Sequence, residues 1–144
     1  MALHILKLCV GADSVDDLRA FIEARVADQL ARGLPREQVH TTRMIPKRRD
    51  EVLDGGSLYW VIKGHVQVRQ RLVDIRPFVD GEGISRCHLV MEPVLRLTEW
   101  QPRRPFQGWR YLQEKDAPRD VGDEEGSADL PSEMRRELTS LGLL

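Results

Sequence analysis

The sequence has few cysteines, few aromatic residues and no long apolar run. Its two cysteines, Cys9 and Cys87, do not form a Cys-x-x-Cys pair, so neither a disulfide framework nor a cysteine zinc site is indicated. Both lie in strand-like apolar segments, where a thiol behaves as a small buried hydrophobe. No run is long enough to cross a bilayer, and the first residues lack a charged leader followed by an apolar region. We therefore expect a cytoplasmic protein with reduced cysteines and no membrane association.

Complete motifs for catalysis, cofactor binding and metal binding are missing too. The four histidines are scattered without the short spacing of metal ligands. The chain carries no Gly-rich phosphate loop and no Gly-x-Ser-x-Gly elbow. We expect neither a metal site nor a cofactor, and the sequence identifies no catalytic residue.

The charges are unevenly distributed although the net charge is −1. Residues 36–112 carry 14 basic and 9 acidic side chains, whereas residues 113–144 carry 4 and 9. A basic body with an acidic tail is compatible with nucleic-acid binding and equally with charge compensation inside one chain. The change in composition predicts a globular domain over residues 1–112 and a tail over residues 113–144, partly disordered, with a short terminal helix.

Apolar spacing predicts strands and one long helix in the first third of the chain. Residues 4–10 form a short apolar run typical of a strand. Ser14 is a helix cap, which predicts a helix over residues 15–32. A second strand is predicted over residues 39–45. The helix is expected to cover a sheet with the apolar side chains Leu18, Phe21, Ile22, Val26 and Leu30.

Two β-patterned runs follow at residues 57–63 and 65–75. The first alternates apolar side chains on both faces, which predicts a strand covered on both sides. The second turns Val66, Val68 and Leu72 inward and a polar, basic row outward. Arg69 and Arg71 in that row would stand roughly 6.5 Å apart as a ladder suited to a polyanion. Alternatively, the row is solvated or pairs with carboxylates on a neighbouring strand.

A short basic helix is predicted over residues 46–53, closed by Gly55 and Gly56. It would begin with Lys47, Arg48 and Arg49, the unfavourable sign for the positive end of a helix dipole. Exposed amides and cations together could receive an anion such as a phosphate, which makes this the first candidate site. The alternative is a solvated helix end whose arginines pair with Asp50 and Glu51.

Residues 100–112 form the second candidate surface. This segment interleaves aromatic side chains with arginines, the mixture that single-stranded nucleic-acid binders use. The alternative is that Phe106 and Trp109 close the core while Gly108 permits a turn. Its aromatic and basic residues are Trp100, Phe106, Trp109 and Tyr111 with Arg103, Arg104 and Arg110.

These elements predict an α+β domain with a mixed sheet of five or six strands, open or barrel-like. One long helix covers the sheet and one short basic helix lies beside it. Residues 86–97, interrupted by Pro93, supply either one bent strand or two short ones.

Several strings resemble a bacterial family of unknown function, domain of unknown function 1489. They are residues 4–11, residues 42–64, Arg69-Gln70 and residues 104–112. The resemblance covers most of the chain and implies no activity, because the family has none established. A looser similarity, to small β-barrels of the PUA and ASCH type, rests on residues 64–75 and 89–97. It implies binding of RNA or a modified nucleotide at a barrel mouth formed by Arg43, Lys47, Arg48, Trp60, Lys63 and Arg69.

Three functions remain open from the sequence. The first is a nucleic-acid-binding module, with RNA favoured over other phosphate-bearing ligands. The second is an assembly module with a protein partner, and the third is an enzyme acting on a phosphorylated small molecule with Glu51 or Asp74 as general base. The candidate nucleic-acid or anion-binding residues are Arg43, Lys47, Arg48, Arg49, Trp60, Lys63, Arg69, Arg71, Arg104, Trp109 and Arg110.

Overall fold

The computed structural model describes residues 2–123 of the 144-residue chain. This part of the chain contains two α-helices, eight strands and one 3₁₀ turn at Glu114–Asp116. The helices are α1 (Val15–Ala31) and α2 (Arg49–Leu53). The strands are β1 (Leu3–Leu8), β2 (Gln38–Thr42), β3 (Ser57–Ile62), β4 (His65–Val79), β5 (Ser85–Met91), β6 (Arg96–Pro102), β7 (Trp109–Gln113) and β8 (Asp120–Asp123).

All eight strands join one mixed sheet, as expected for an α+β protein. β1 and β3 pair in parallel, with Ile5 opposite Leu58, and the other described pairs are antiparallel. The strand order is β2-β5-β4-β3-β1-β7, with β6 between β4 and β8. The prediction of five or six strands was too low, because residues 109–113 and 120–123 add two strands to the higher number. Over the residues described, the sheet does not close into a barrel.

β4 is the longest strand, with 15 residues, and it pairs along both edges. One edge carries β3, and the other carries β6 followed by β5, which lie end to end. Pro93 therefore separates two short strands, the second of the two predicted alternatives. Register shifts at Val66/Val68 and Leu72/Asp74 mark bulges, which bend a strand and increase its twist.

The centre of the sheet is apolar on both faces. All six residues of β3 are buried, which confirms a strand covered on both sides. The main core lies on the face that includes Leu58, Trp60 and Ile62 and contains residues of both helices. A smaller cluster on the opposite face consists of Leu6, Tyr59, Val61, Val66 and Leu112. Its rim is formed by Leu8, Phe106 and Ala117.

Helix α1 begins where the sequence predicts and ends one residue early. The Ser14 hydroxyl accepts a hydrogen bond from the Asp17 amide at 3.1 Å, which confirms the cap. Leu18 and Ile22 enter the main core, but Phe21 and Leu30 are 56% and 53% exposed. The predicted apolar face is therefore only partly buried. Neither described helix is long and apolar enough to span a membrane.

The described structure continues past the predicted domain boundary at residue 113. That residue ends β7, and the chain then forms the 3₁₀ turn and β8, which pairs with β6. The polar stretch predicted to be disordered or a surface-hugging arm begins at Gln113, and its residues 113–123 are the part just described. Its remaining residues and the predicted terminal helix lie outside the described residues.

A carboxylate organises the loop between β4 and β5. Asp80 Oδ1 accepts hydrogen bonds from the backbone N–H groups of Glu82 and Ile84 at 2.9 and 3.0 Å, and its Oδ2 accepts one from Arg86. The Arg86 hydrogen bond, aided by both amides, lowers the pKa of Asp80 from 3.8 to about 2. The predicted turn is thus stabilised by this side chain together with two backbone hydrogen bonds, from the Asp80 amide to the Ile84 carbonyl and from the Gly83 amide to the Asp80 carbonyl.

We expect an Asp80→Asn variant to lose stability only where Asp80 is ionised. Because the folded-state pKa lies below the unfolded value, the carboxylate stabilises the fold above about pH 4. This contribution is lost as the pH falls towards 2. Urea unfolding of the wild type and the variant should therefore differ at neutral pH and converge at pH 2. Glu82→Gln removes a charge from the same loop and is the control. A difference in stability between the wild type and Asp80→Asn that does not depend on pH would contradict the stabilising role of the ionised carboxylate.

Gly56 is required where α2 meets β1. A Cβ atom there would lie 2.2 Å from the Val52 carbonyl oxygen and 2.3 Å from that of Leu3. Both are backbone atoms, so Gly56→Ala should cost about 1–3 kcal/mol of unfolding free energy through overpacking. Gly81→Ala, where a Cβ atom meets nothing within 4 Å, is the control. Equal urea midpoints for the two variants would contradict this expectation.

Candidate functional site

The predicted basic helix start has a different structure. Helix α2 begins at Arg49, so Lys47 and Arg48 precede it, and its first turn contains Asp50 and Glu51. The predicted start at residue 46 was therefore too early. Arg48 bonds to Glu51, and Arg49 lies 3.7 Å from Asp50. These contacts match the alternative in which the arginines pair with local carboxylates.

Both carboxylates considered as general bases are held by arginines. Asp74 accepts hydrogen bonds from Arg76 and Arg49 at 2.8 and 2.9 Å and from the Ile75 amide. The bond from Arg76 is the main reason that the pKa of Asp74 is lowered. The bond from Arg48 similarly lowers the pKa of Glu51. Neither group is suited to accept a proton near neutral pH.

Two predicted aromatic contacts, Trp60 and Trp109, are core residues. They are 6% and 5% exposed, so neither indole offers a face to a base. Trp60 Nε1 donates to Gln70 Oε1 at 2.8 Å, and Trp109 Nε1 donates to the Met44 carbonyl at 2.6 Å. Their assignment to a stacking surface is corrected, because the indoles fill the core.

The predicted cationic ladder on β4 is interrupted by an ion pair. Arg69 donates two hydrogen bonds to the Asp120 carboxylate, at 2.8 and 2.7 Å, and a third to Ser57 Oγ at 2.7 Å. Arg71 is exposed, and no ion pair is found for it within residues 2–123. The pair ties β8 to the centre of the sheet, so Arg69 has a structural role.

A concavity of about 490 Å³ lies where the chain passes from β6 to β7. We call it the arginine concavity. Arg110 lies over the Phe106 ring at 5.1 Å, and the Arg103 guanidinium donates to Gln101 Oε1 at 2.7 and 3.0 Å. Arg104 is exposed. The lining residues are Leu6, Pro102, Arg103, Arg104, Pro105, Phe106 and Arg110, without a carboxylate.

Lys63 lies beside this concavity. It occupies the β3–β4 turn with a φ of 48°, followed by Gly64 with a φ of 82°. The Gly64 carbonyl accepts a hydrogen bond from the Arg103 amide at 2.8 Å, which brings the turn next to the arginines. Two of the predicted residues, Arg104 and Arg110, therefore line the concavity, and a third, Lys63, lies in the turn hydrogen-bonded to Arg103.

Three other predicted basic residues, Arg43, Lys47 and Arg48, belong to the segment that precedes α2 and packs against β7. The segment preceding α2 contacts that strand through Met44 and through the Arg48 amide, which donates to the Tyr111 hydroxyl at 3.0 Å. Trp109 and Tyr111 point to the face opposite Arg110, because side chains alternate along a strand. Arg43, Lys47 and Arg48 thus belong to a different face from the arginine concavity.

A second cavity, of about 660 Å³, lies between the sheet and residues 114–120. We call it the polar cleft. His4 and Tyr59 are buried in its floor, and their rings meet edge to face at 4.9 Å. Burial raises the pKa of Tyr59 to about 12, so its phenol stays protonated at neutral pH. Other lining residues that matter here are Arg69, Glu114, Lys115, Arg119 and Asp120.

His4 is held from two sides. Its Nδ1 accepts a hydrogen bond from the buried Ser57 amide at 2.9 Å. The imidazole proton therefore lies on Nε2, where it is donated to Glu114 Oε2. Glu114 is the outer member of the pair, since its side chain is 49% exposed and that of His4 is 4% exposed. No group of three metal-ligating side chains occurs among the described residues.

This cleft is not apparent in the sequence. Its central pair, His4 and Glu114, is separated by 110 positions, and Glu114 was assigned to the acidic tail. One local signal was present: His4 is a polar residue inside an apolar run whose neighbours Leu3 and Ile5 are buried. A buried polar side chain requires a hydrogen-bond partner, but the pattern could not identify which one.

Comparison with known proteins gives a family and no function. A family profile described as "Protein of unknown function (DUF1489)" matches residues 5–144. Neither the curated proteins nor the solved structures contain a match to the chain. The similarity to PUA and ASCH barrels is not supported by these comparisons. Because the profile spans nearly the whole sequence, the chain belongs to the DUF1489 family.

Proposed function

We propose that the protein binds single-stranded nucleic acid, with RNA favoured, through the arginine concavity. The observation that carries the proposal is a concave surface lined by three arginines and no carboxylate. In contrast, Arg48, Arg49, Arg69 and Arg76 have carboxylate partners. Within residues 2–123, the three guanidinium groups of the concavity have no carboxylate partner and are available to a ligand phosphate.

The chemistry of the lining suits a phosphate backbone. A guanidinium presents donors in a planar fork that matches two phosphate oxygens. Lys63 adds a further cation at one edge, next to Arg103. The half-buried Phe106 ring lies among these cations and provides an apolar face. This combination of aromatic and cationic side chains is typical of single-strand binding grooves.

An aromatic pair joins β4 to β6 near the concavity. The rings of His65 and Trp100 are 5.3 Å apart, and both residues are partly exposed. His65 is opposite Pro102 in the β4–β6 pairing, and Pro102 lines the concavity. Val66 belongs to the smaller cluster, which shares a face with the concavity, and His65 alternates with Val66 along β4. The His65–Trp100 pair therefore lies on the opposite face and is not part of the proposed site.

An Arg104→Ala, Arg110→Ala double variant should bind RNA at least about 10-fold more weakly at low salt. Each arginine that no longer neutralises a phosphate should also reduce the slope of log K against log salt by about 0.7, so the double variant should reduce it by about 1.4. Fluorescence anisotropy with labelled single-stranded RNA, single-stranded DNA and duplexes measures both the affinity and the slope.

The matched control is Arg25→Ala, Arg36→Ala, which removes the same charge from exposed positions away from the concavity. It should retain nearly the wild-type slope. Equal reductions of affinity in the two double variants would show that binding depends only on net charge. Absence of binding to every probe at low salt would refute the proposed function.

A further inference from the structure

We propose that the polar cleft is a catalytic site that cleaves RNA by internal transesterification, with Glu114 as the general base. This inference rests on the proposed RNA binding, because the arginine concavity would hold the strand that enters the cleft. The class of substrate is a phosphodiester with a neighbouring 2′-hydroxyl group.

The Glu114 carboxylate is fixed by a hydrogen bond and is still accessible to a ligand. His4 Nε2 binds its Oε2, and the Ser57 amide fixes the imidazole from the other side. The Oε1 atom accepts no hydrogen bond from the residues described. One oxygen is therefore anchored, and the other is available for a proton from a ligand in the cleft.

The cleft also contains the cations that such a reaction requires. Lys115 and Arg119 line it with the Glu114 carboxylate, while the third cation, Arg69, is paired with Asp120. The negative charge that develops on a phosphodiester under attack is stabilised by fixed guanidinium and ammonium groups. An excess of cations over anions favours a substrate that brings a negative charge.

No lining group is suited to act as the attacking nucleophile. The Ser57 hydroxyl lies outside the lining, is buried and accepts a hydrogen bond from Arg69. The Tyr59 phenol is buried under the turn and remains protonated at neutral pH. RNA carries a nucleophile next to each phosphodiester in its 2′-hydroxyl group, so a bound RNA can supply its own.

The polar cleft and the arginine concavity lie near each other on one face of the sheet. His4 lines the cleft and Leu6 lines the concavity. These side chains are two residues apart on β1, so they share a face and lie roughly 6.6 Å apart. The cluster of Tyr59, Val61 and Leu112 is on that same face of the sheet. A single RNA strand can therefore contact both cavities without passing around an edge of the sheet.

Groups in the cleft account for every proton transferred in the proposed transesterification. Glu114 takes the proton of the 2′-hydroxyl, the O2′–P bond forms and the P–O5′ bond breaks. Lys115 gives a proton to the departing 5′ oxygen, and the products are a 2′,3′-cyclic phosphate and a free 5′-hydroxyl. Proton exchange with water then restores Glu114 and Lys115. No oxidant, reductant or additional reactant is needed.

The first experiment changes the substrate and leaves the protein intact. Full-length protein is incubated with a labelled mixed-sequence RNA and with the same sequence as 2′-deoxy or 2′-O-methyl oligonucleotide. We expect cleavage of the RNA alone, with cyclic phosphate ends in mass spectra. Cleavage of the 2′-substituted strands, or linear phosphate as the initial product, would overturn the mechanism.

The second experiment changes the base. Glu114→Gln keeps an oxygen to accept from His4 and should lower the cleavage rate by about 10²–10⁴-fold, the usual contribution of a general base. Asp116→Asn, on the same 3₁₀ turn but outside the cleft, should cleave like the wild type. Equal rates in the wild type and Glu114→Gln would assign the activity to a contaminating nuclease and refute the proposal.

Binding measured on the same samples separates the two proposals. Glu114→Gln should retain RNA affinity to within about 2-fold, because the arginine concavity is unchanged. Salt-sensitive binding without cleavage would overturn the catalytic inference and leave RNA binding standing. Absence of both binding and cleavage in the wild type would refute both proposals.

Discussion

Hydrogen bonding along both edges of β4 is the constraint on which the other elements depend. β3 occupies one edge, and β5 and β6 share the other. Strand β3 in turn holds β1, and β1 holds β7, while β6 holds β8. A one-residue slip of β4 would move its buried side chains to the wrong face. Both proposed ligand-binding cavities lie on strands connected to this one element.

Features that depend on nearby residues were predictable. The Ser14 cap, the course of α1 and the two-sided burial of β3 all follow from spacing within one element. The break at Pro93 also follows locally, because proline disrupts a ladder of hydrogen bonds. The residues that α1 buries were harder to predict, since burial of its face depends on which elements lie opposite.

The partners in ion pairs between residues distant in sequence could not be predicted, whereas the local pair of Arg48 with Glu51 matches a predicted alternative. Arg49 meets Asp74, 25 positions away, and Arg69 meets Asp120, 51 positions away. These contacts neutralise arginines that appear free in the sequence. The error at Trp60 had another cause: the strand pattern already indicated burial on both faces, and a surface role for that indole was inconsistent with it. Local structure was a better guide there than residue type.

The separation of His4 and Glu114 by 110 positions affects the order in which the chain is made. At roughly 5–20 residues per second, a ribosome releases the two residues about 5–20 s apart. During that interval the imidazole is made but its carboxylate partner is not. A chain interrupted before residue 114 can form β1, α1 and β3, yet it lacks the outer wall of the polar cleft. The cleft is therefore complete only when synthesis of the described chain is almost finished, and a partial product would carry no assembled pair.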